Sequence, residues 1–498
     1  MPNSKIASLS GRERIIILTL CALGACRIFL FSAAFPFFNN VDEQAHFDMV
    51  YKYSKDHIPC AALENYDHET SELIVFYGTP EYLIITNQFP KDFVRPTPAL
   101  KQSKIFVEKV TRQEQQKNPQ TWSFPVYYTV AGLWCFIGRL LGIQGGYLLY
   151  WTRFLNVLLF TALVWFSHVL ARTFFPQSFL NRIALPLLVA FFPQDTFYGI
   201  TNDTLSPLLF AIAFFMLMQI FFSNKSHTYN MFTGLVVAAT FLTKISNVAI
   251  LALLTIAVLL KIKYLLSNKQ LKYVPPLATL LAAVIVPIGI WLVRNYIVSG
   301  SLTSSAETIK HLGWTVKPLC QMWNHPIFTP GGFFFFVTEL TKTFWRGEFV
   351  WHLERLASPG VDTFYVASTV AFVLVSGFGT ALNKPQKYTE YRFAISMSFC
   401  VLAVSVLFLA ILSIRYDFGG CWFPSRQHPY FTAGRLISGA LLPFLLIYLD
   451  GLGRIFSRFK SRLLHFAAVV LIVIIITWSE LWLTWEVFKS PYNWFHLK

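Results

Sequence analysis

The stretch IIILTLCALGACRIFLFSAA occupies residues 15–34, and NNVDEQAHF follows it at residues 39–47. About 20 predominantly apolar residues are enough for an α-helix to cross a bilayer. Arg12 and Arg14 precede the run, which favours a cytoplasmic N-terminus and an uncleaved signal anchor that leads into an extracytoplasmic loop. An arginine inside a span is costly, so we expect Arg27 to face an ion-pair partner or a cavity.

The composition extends this prediction to the whole chain. The 498 residues are 55% hydrophobic and 17% aromatic, and only 13% are charged. Apolar runs of spanning length recur and are continuous, which indicates α-helices and argues against the alternating strands of a membrane β-barrel. The net charge of +16 would suggest nucleic acid in a soluble protein. Here the positive residues cluster between apolar runs, so the lipid bilayer accounts for them and no nucleic-acid partner is expected.

The predicted fold class is an all-α polytopic membrane protein with about 11 transmembrane helices and interfacial helices in a long first extracytoplasmic loop. If the apolar run 124–141 also crossed, the basic residues at 172, 182 and 454–462 would face outward, so this run is predicted to lie in the interface. The predicted spans are residues 15–34, 151–171, 183–198, 204–222, 230–243, 246–262, 275–297, 363–382, 393–413, 436–450 and 464–485.

Two adjacent carboxylates and a histidine follow the first span directly. In a helix, Asp42 and Glu43 lie four and three residues before His46, which places the side chains on one face. In one interpretation Asp42 is a general base for an acceptor hydroxyl or amine, and Glu43 or His46 orients it or binds a divalent cation. The other interpretation is a capping box, with Asn40 as the N-cap and Glu43 at the third helical position.

Further charged residues are predicted to gather at the same face. Asp203 is either a helix N-cap or a second carboxylate that faces Asp42 and binds metal or acceptor. Several cations are also expected there, although lysine and arginine are depleted on the outer side of membranes. A bound lipid phosphate is one reason for such cations, and interfacial anchoring is the other. These cations are Lys244, Arg294, Arg346 and Arg435.

The motifs of several enzyme classes do not occur in the sequence. It has no GxxxxGK[ST] or GxGxxG phosphate loop, no HExxH, and no hydrolase-like spacing of Ser, His and Asp. ATP is therefore not indicated, and a preactivated lipid-linked donor would need no other energy source. The seven cysteines include no CxxC spacing, so a cysteine-based metal or redox site is not expected.

Short motifs occur in an order that resembles the GT-C superfamily of membrane glycosyltransferases. More closely, the order resembles the branch that contains protein O-mannosyltransferases and the lipid A aminoarabinose transferase. The motifs are VDEQAHF (41–47), FPVYY (124–128), Arg153, TND (201–203), TK (243–244), WLVRN (291–295), FWRG (344–347), GRL (434–436) and Pro443.

This resemblance implies an inverting glycosyltransferase that moves a sugar from a polyprenyl-phosphate donor to an extracytoplasmic acceptor, which is a glycan, a lipid or a protein. Asp42 corresponds to the catalytic base, and Asp42 and Asp203 are candidate ligands for a divalent cation, Mg²⁺ or Mn²⁺. The expected catalytic set is Asp42, Glu43, His46 and Asp203. The expected donor-phosphate ligands are Arg153, Lys244, Arg294, Arg346 and Arg435.

The resemblance also implies a division of the chain. Residues 1–298 are expected to form the GT-C-like catalytic transmembrane module, including an extracytoplasmic loop at 35–150. Residues 299–360 are expected to form a second extracytoplasmic loop, and residues 361–498 the C-terminal transmembrane helices. We expect an integral protein of the bacterial inner (plasma) membrane with its active site on the extracytoplasmic face.

Two other functions stay open. A flippase or transporter for a lipid-linked sugar should show two related halves and charges near the membrane midplane, whereas this chain shows no clear repeat and its charges collect at one face. An O-antigen polymerase or ligase would also fit many spans with one large outer loop. Such an enzyme would place key residues in a late loop, where Arg426 and His428 lie.

Overall fold

The computed structural model describes residues 11–38, 42–61, 63–79, 81, 101–303, 305–382, 390–421, 423–457 and 461–497. Within these ranges it contains 18 α-helices. They are α1 (Gly11–Ala34), α2 (Glu43–Ser54), α3 (His68–Tyr77), α4 (Lys104–Glu114), α5 (Pro125–Leu140), α6 (Gly145–Phe174), α7 (Phe179–Ala190), α8 (Ser206–Phe222), α9 (His227–Phe241), α10 (Ala249–Ser267), α11 (Val274–Ser299), α12 (Ser305–His311), α13 (Leu319–Met322), α14 (Pro330–Arg346), α15 (Pro359–Leu382), α16 (Glu390–Arg415), α17 (Leu441–Ser457) and α18 (Arg462–Phe488).

Short antiparallel strand pairs tie the later loops together. Strand β1 (Thr315–Val316) pairs with β4 (Tyr416–Asp417), which directly follows α16. Strands β2 (Val350–Trp351) and β3 (Glu354–Arg355) form a hairpin after α14. Each predicted span overlaps one of the helices, although the predicted span 183–198 runs past the end of α7 at Ala190. The prediction of an all-α polytopic membrane protein is confirmed.

Eight helical segments of the described chain are long and apolar enough to cross a membrane; they contain α1, α6, α10, α11, α15, α16, α17 and α18, and those of α10, α11 and α17 include the 3₁₀ segment that precedes the helix. Helices α7, α8 and α9 are shorter, with 12, 17 and 15 residues. The long helices differ in burial: 89% of the most apolar stretch of the segment that contains α17 is buried, but only 11% of the corresponding stretch of α15. Helix α17 is therefore the centre of the bundle, and α15 presents most of its surface to lipid.

The first loop folds as a cap on one end of the bundle, which we call the first-loop end. The buried Asp48 of α2 fastens this cap: it accepts hydrogen bonds from Asn118 Nδ2 at 2.7 Å and from the Asp67 backbone N–H at 2.8 Å. Lys52 Nζ lies 3.0 Å from the same carboxylate. A buried carboxylate with several donors stabilises the local fold, so Asp48 joins α2 to the start of α3 and to the segment before α5.

Both ends of α5 contact the first-loop end. The Val126 backbone N–H donates to the carbonyl of Leu242, just after α9, at 3.2 Å. At the other end, Arg139 Nη1 donates to the carbonyl of Ser54, the last residue of α2, at 3.2 Å. One end of α5 thus meets the end of α9 and the other meets the cap, so both ends of the helix lie at the first-loop end, which supports the prediction that residues 124–141 are interfacial.

An ion pair inside the bundle joins α1 to α18. Arg27 Nε donates to Glu480 Oε2 at 2.8 Å, and Arg27 Nη2 donates to the carbonyl of Phe192 at 2.9 Å. The Arg27 and Glu480 side chains are only 6% and 4% exposed. The expectation that Arg27 faces a partner is therefore confirmed.

Residues 299–360 pack on the transmembrane core. The Gly434 backbone N–H donates to Thr343 Oγ1 of α14 at 3.0 Å, at the start of a 3₁₀ segment, Gly434–Ala440, that leads into α17. Helix α14 thus reaches the residues that begin the central helix. The three-part division of the chain stays a prediction.

Candidate active site at the first-loop end

The Asp42 side chain is left open by the fold instead of capping its helix. It is the N-cap of α2 with φ 60° and ψ 10°, and its side chain makes no capping hydrogen bond. A left-handed backbone is uncommon for residues other than glycine, but aspartate and asparagine adopt it more readily than most. The carboxylate is 41% exposed and lies 3.6 Å from Arg435 Nη2. It is therefore accessible and already faces a cation.

Glu43, the next residue, serves a different purpose. Its carboxylate is 1% exposed and receives two hydrogen bonds of 2.6 Å from Arg153, from Nε and Nη2. The backbone N–H groups of Phe38 and Ile200 donate to the same carboxylate at 3.0 Å. Glu43 begins α2 as its first residue, so the capping-box interpretation fails; its proposed N-cap, Asn40, lies outside the described residues.

Arg153 is fully engaged by this pairing. Its guanidinium also donates to the carbonyls of Ser32 at 3.1 Å and Pro36 at 2.9 Å, and to that of Phe35. The side chain is 1% exposed. A guanidinium whose donors all end on protein acceptors has none left for a ligand, so we leave Arg153 out of the donor-phosphate set and assign it, with Glu43, to holding the end of α1 against α6.

Asp203 lies at the bottom of the site. It is completely buried, and Lys244 Nζ forms an ion pair with Oδ1 while Arg435 Nη1 lies 3.1 Å from Oδ2. The Thr201 hydroxyl donates to Oδ2 at 3.2 Å. Burial alone would raise the pKa of Asp203, but Lys244 and Arg435 outweigh it and hold the pKa below its ordinary value. Asp203 is thus a fixed negative charge that holds two cations.

Arg435 connects three carboxylates. Its Nη1 faces Asp203, its Nη2 faces Asp42, and its Nε lies 3.4 Å from Glu348 Oε2. The arginine is in the 3₁₀ segment before α17, and its side chain is 16% exposed. Four of the predicted residues therefore meet at one place although they are far apart in the sequence: Asp42, Asp203, Lys244 and Arg435.

His46 lies beside this cluster and is held by α5. Its Nδ1 lies 2.7 Å from the hydroxyl of Tyr128, and its side chain is buried. Burial lowers the pKa of His46 to about 4, and the nearby Arg435 and Lys244 act in the same direction against Asp42 and Asp203. His46 is therefore neutral at pH 7, and Asp42 is the accessible carboxyl group beside it.

Two acidic residues of the site, Glu348 and Asp195, were not predicted from the sequence. The Glu348 backbone N–H donates to Asp195 Oδ2 at 2.8 Å, and both side chains are buried. Burial and the neighbouring Glu348 carboxylate together raise the pKa of Asp195 to about 7, although backbone donors and Arg435 oppose the shift. Burial also raises the pKa of Glu348, although Arg435 opposes the shift.

Gly347 permits this arrangement. Its φ is +81°, and a Cβ at this position would lie 2.0 Å from Asp195 Cγ. The motif FWRG contains this glycine, and Glu348 follows it. That adjacency was the available sequence signal for Glu348, whereas nothing near Asp195 indicated that it would support a residue 153 positions away.

The remaining two predicted phosphate ligands lie apart from the cluster. Arg294 donates to the carbonyl of Pro59 in the cap and to Asn295 Oδ1 at 3.1 Å. Arg346 forms a bidentate ion pair with Asp362 of α15, with distances of 2.7 and 3.1 Å. Both arginines therefore join elements of the first-loop end, and neither contacts Asp203.

The carboxylates of Asp42 and Asp203 do not fit a divalent cation as they are arranged. Both face the guanidinium of Arg435, so a metal ion would have to displace that cation. Within the described ranges, no group of three or more His, Cys, Asp or Glu side chains is placed to hold a metal ion. The chemistry proposed below uses the cations of the chain itself.

The fold and the buried cluster together define an integral membrane protein with a charged site at one end of its helical bundle. The chain belongs to the family described as "Predicted membrane protein (DUF2142)", which matches residues 27–416. No curated protein matches the chain.

One solved structure is similar over much of the chain. It is the crystal structure of the Archaeoglobus fulgidus oligosaccharyltransferase in complex with Zn and sulfate. The TM-score is 0.37 at 13% sequence identity, over 74% of this chain and 45% of that one. The chain therefore spans less than half the length of that protein.

Proposed function

We propose that the protein is an inverting glycosyltransferase that uses a polyprenyl-phosphate sugar, with Asp42 as the general base. One observation carries this proposal: a half-exposed carboxylate without a capping role faces an arginine that is shared with the buried Asp203 and with Glu348. A base at the opening and cations below it are the two functions that direct glycosyl transfer from a phosphate requires.

The chemistry is a single displacement at the anomeric carbon of the sugar. Asp42 accepts the proton of the acceptor hydroxyl, and the acceptor oxygen forms a bond to that carbon from the side opposite the phosphate. The bond between the carbon and the phosphate oxygen breaks, and its electron pair stays on the leaving polyprenyl phosphate. Lys244 and Arg435 stabilise the charge that develops on this phosphate.

The lengths of the Arg435 contacts suggest how the donor engages. The contact with Asp42 is the longest of the three, at 3.6 Å, and Asp42 is the most exposed partner. A donor phosphate at Nη2 would take the place of Asp42, because a phosphate oxygen is a strong acceptor for a guanidinium. Asp42 would then be free to act as a base on the acceptor.

The proposal includes an orientation. If the first-loop end is extracytoplasmic, the basic residues at 172, 182 and 454–462 lie on the cytoplasmic side. The donor lipid and the acceptor would then meet outside, in a bacterial inner membrane. The acceptor would be a glycan, a lipid or a protein.

The test is transfer by purified protein in liposomes that contain a panel of decaprenyl-phosphate sugars and a membrane glycolipid extract as acceptor. Mass spectrometry measures the decaprenyl phosphate that is released. We expect Asp42→Asn to lower release by about 10²- to 10⁴-fold, the usual contribution of a general base.

Asp56→Asn is the matched control, because Asp56 has the same φ of 60° and an exposed side chain. The control should retain the wild-type rate. If Asp42→Asn keeps its activity while Arg426→Ala abolishes it, the enzyme is of the polymerase or ligase type. The position of Arg426 favours the transferase: its side chain is 69% exposed and its ion-pair partner is Asp417, outside the cluster.

A further inference from the structure

A second concave surface lies at the first-loop end, away from the Asp42 cluster. It is an open groove of about 650 Å³ between α12, β1 and β4. Its walls are apolar and aromatic except for two cations. The residues that define it are Ile309, Lys310, Trp314, Val316, Arg415 and Tyr416.

The groove lies at the depth of a bilayer surface. Arg415 is the last residue of α16, a 26-residue apolar helix that can span the membrane, and Tyr416 begins β4 directly after it. Helix α12 begins six residues after the end of α11, which is another candidate span. The ends of two spans fix this position, so the groove lies where lipid headgroups meet water.

The two cations of the groove are available for a ligand. In the part of the chain that the structure describes, neither Lys310 nor Arg415 has a carboxylate within the 4.0 Å ion-pair distance. Asp417, two residues after Arg415, forms its ion pair with Arg426 at 2.9 Å, and Glu307, three residues before Lys310 on α12, does not come within the ion-pair distance of Lys310. Both Lys310 and Arg415 are exposed. They can therefore attract an anion without first losing a partner.

One wall of the groove is aromatic. The indole N–H of Trp314 is buried and has no hydrogen-bond partner among the described residues. Its ring packs against Tyr416 and Phe418, with ring centroids 5.9 and 5.1 Å apart. The rings of Trp314 and Tyr416 form the aromatic wall of the groove, and the buried N–H lies beneath that wall rather than in contact with the open space.

We propose that this groove binds the headgroup of an anionic phospholipid of the surrounding bilayer. Lys310 and Arg415 contact the phosphate, and the aromatic and apolar wall contacts the upper part of the acyl chains. This site is separate from the proposed donor site and does not depend on glycosyl transfer.

The experiment measures binding of tail-labelled fluorescent phosphatidylglycerol and phosphatidylcholine to the full-length protein in detergent. The two lipids share the phosphate and the acyl chains but differ in net charge. We expect phosphatidylglycerol to bind about 10-fold more tightly, because each basic residue near a membrane surface favours anionic lipid severalfold. The Lys310→Gln/Arg415→Gln double variant should lower phosphatidylglycerol binding to the level of phosphatidylcholine.

The matched control is the Arg355→Gln/Lys489→Gln double variant. It removes the same charge, but both residues already have acidic partners, Glu339 at 3.6 Å and Glu486 at 2.7 Å. This variant should keep the preference for phosphatidylglycerol.

Three results would overturn the proposal: equal binding of the two lipids by the wild type, a preserved preference in the Lys310/Arg415 variant, or an equal loss in the control variant. Inorganic phosphate serves as a competitor to separate a lipid site from a site for the free anion. If millimolar phosphate displaces phosphatidylglycerol completely, the groove binds the free ion and the lipid assignment is wrong. A failure to detect glycosyl transfer would not change any of these results.

Discussion

Asp42 and Glu43 are neighbours in the chain, and each carboxylate faces an arginine, yet their surroundings are opposite. Glu43 is 1% exposed and receives two hydrogen bonds from Arg153 and two from backbone N–H groups. Asp42 is 41% exposed and touches Arg435 only at 3.6 Å. The first pair is closed to any ligand, whereas the second can exchange one partner for another.

The two ion pairs differ in how completely their hydrogen-bonding groups are satisfied. A buried ion pair is stable only when its remaining hydrogen-bond donors and acceptors also have partners. Those of Arg153 do, because its guanidinium also donates to backbone carbonyls. Arg435 instead divides its donors among three carboxylates at 3.1 to 3.6 Å. The saturation of hydrogen bonds, rather than the presence of charge, separates the two roles.

The largest expected effect is the loss of stability when the buried ion pair between Glu43 and Arg153 is broken. Glu43→Gln or Arg153→Met leaves one buried charge without its partner, which typically costs about 3–5 kcal/mol. The free energy of unfolding, measured by SDS titration in mixed micelles, should fall by this amount. The double variant should cost at least about 1 kcal/mol less than the sum of the two single changes, because the residues interact directly.

Glu486→Gln is the control for this measurement. Glu486 pairs with Lys489 at 2.7 Å, but the two side chains are 64% and 55% exposed. Exposed pairs contribute about 0–1 kcal/mol, so this variant should be nearly as stable as the wild type. Equal effects of Glu43→Gln and Glu486→Gln would contradict the structural role assigned to Glu43.

The second effect is a dependence of the free energy of unfolding on pH, which arises from the buried carboxyl group of Asp195. The pKa of Asp195 is about 7 in the fold, above its ordinary value of 3.8, because the carboxyl is buried next to Glu348. A raised pKa means that the protonated carboxyl stabilises the fold fully below about pH 4, and that this stabilisation is lost as the pH rises through 7. The loss between pH 4 and pH 8 should approach about 4 kcal/mol.

Unfolding of the wild type and of Asp195→Asn should be compared at pH 5 and pH 8. The asparagine stays neutral, so the variant should lose clearly less stability than the wild type over this interval. The raised pKa of Glu348 leaves a smaller loss of the same sign in the variant. Parallel losses in both proteins would show that Asp195 is ionised at pH 5.

The smallest expected effect is the change in the free energy of unfolding caused by Asp42→Asn. Asp42→Asn removes a charge from a half-exposed side chain at a left-handed position, where asparagine is also favourable. The free energy of unfolding should change by no more than about 0.5 kcal/mol, as for Asp56→Asn. A larger loss would mean that the Asp42–Arg435 contact stabilises the fold, as the Glu43–Arg153 pair is expected to do.

The apolar runs were sufficient to predict most of the fold. A helix without an apolar length near 20 residues is harder to place, and the predicted span 183–198 shows this. Helix α7 ends at Ala190, and a 3₁₀ turn begins at Asp195, because Pro193 and the polar residues after it do not continue an apolar helix. The interfacial α5 followed from the balance of basic residues rather than from its own apolar pattern.

The site was only partly predictable. The sequence predicted that four charged residues would gather at one face, namely Asp42, Asp203, Lys244 and Arg435. Cations are depleted at the outer ends of spans, so those predicted there indicate a function. The same reasoning included Arg294 and Arg346, and the family resemblance added Arg153, since a sequence shows that a charge is present but does not show its partner. Asp195 and Glu348 depend on a contact across 153 residues and on the backbone of Gly347, and neither leaves a periodic pattern.

The ion pair between Arg27 and Glu480 has a consequence for biosynthesis. The two residues are 453 positions apart. At about 5–20 residues per second, the ribosome needs roughly 20 to 90 seconds to reach Glu480 after it has made Arg27. During this interval α1 carries a charge in the membrane that costs about 2.5–3.5 kcal/mol on the insertion scale. Insertion of α18 removes this cost, so a ribosome that stalls before α18 would leave a nascent chain that quality-control proteases can recognise by its unpaired arginine.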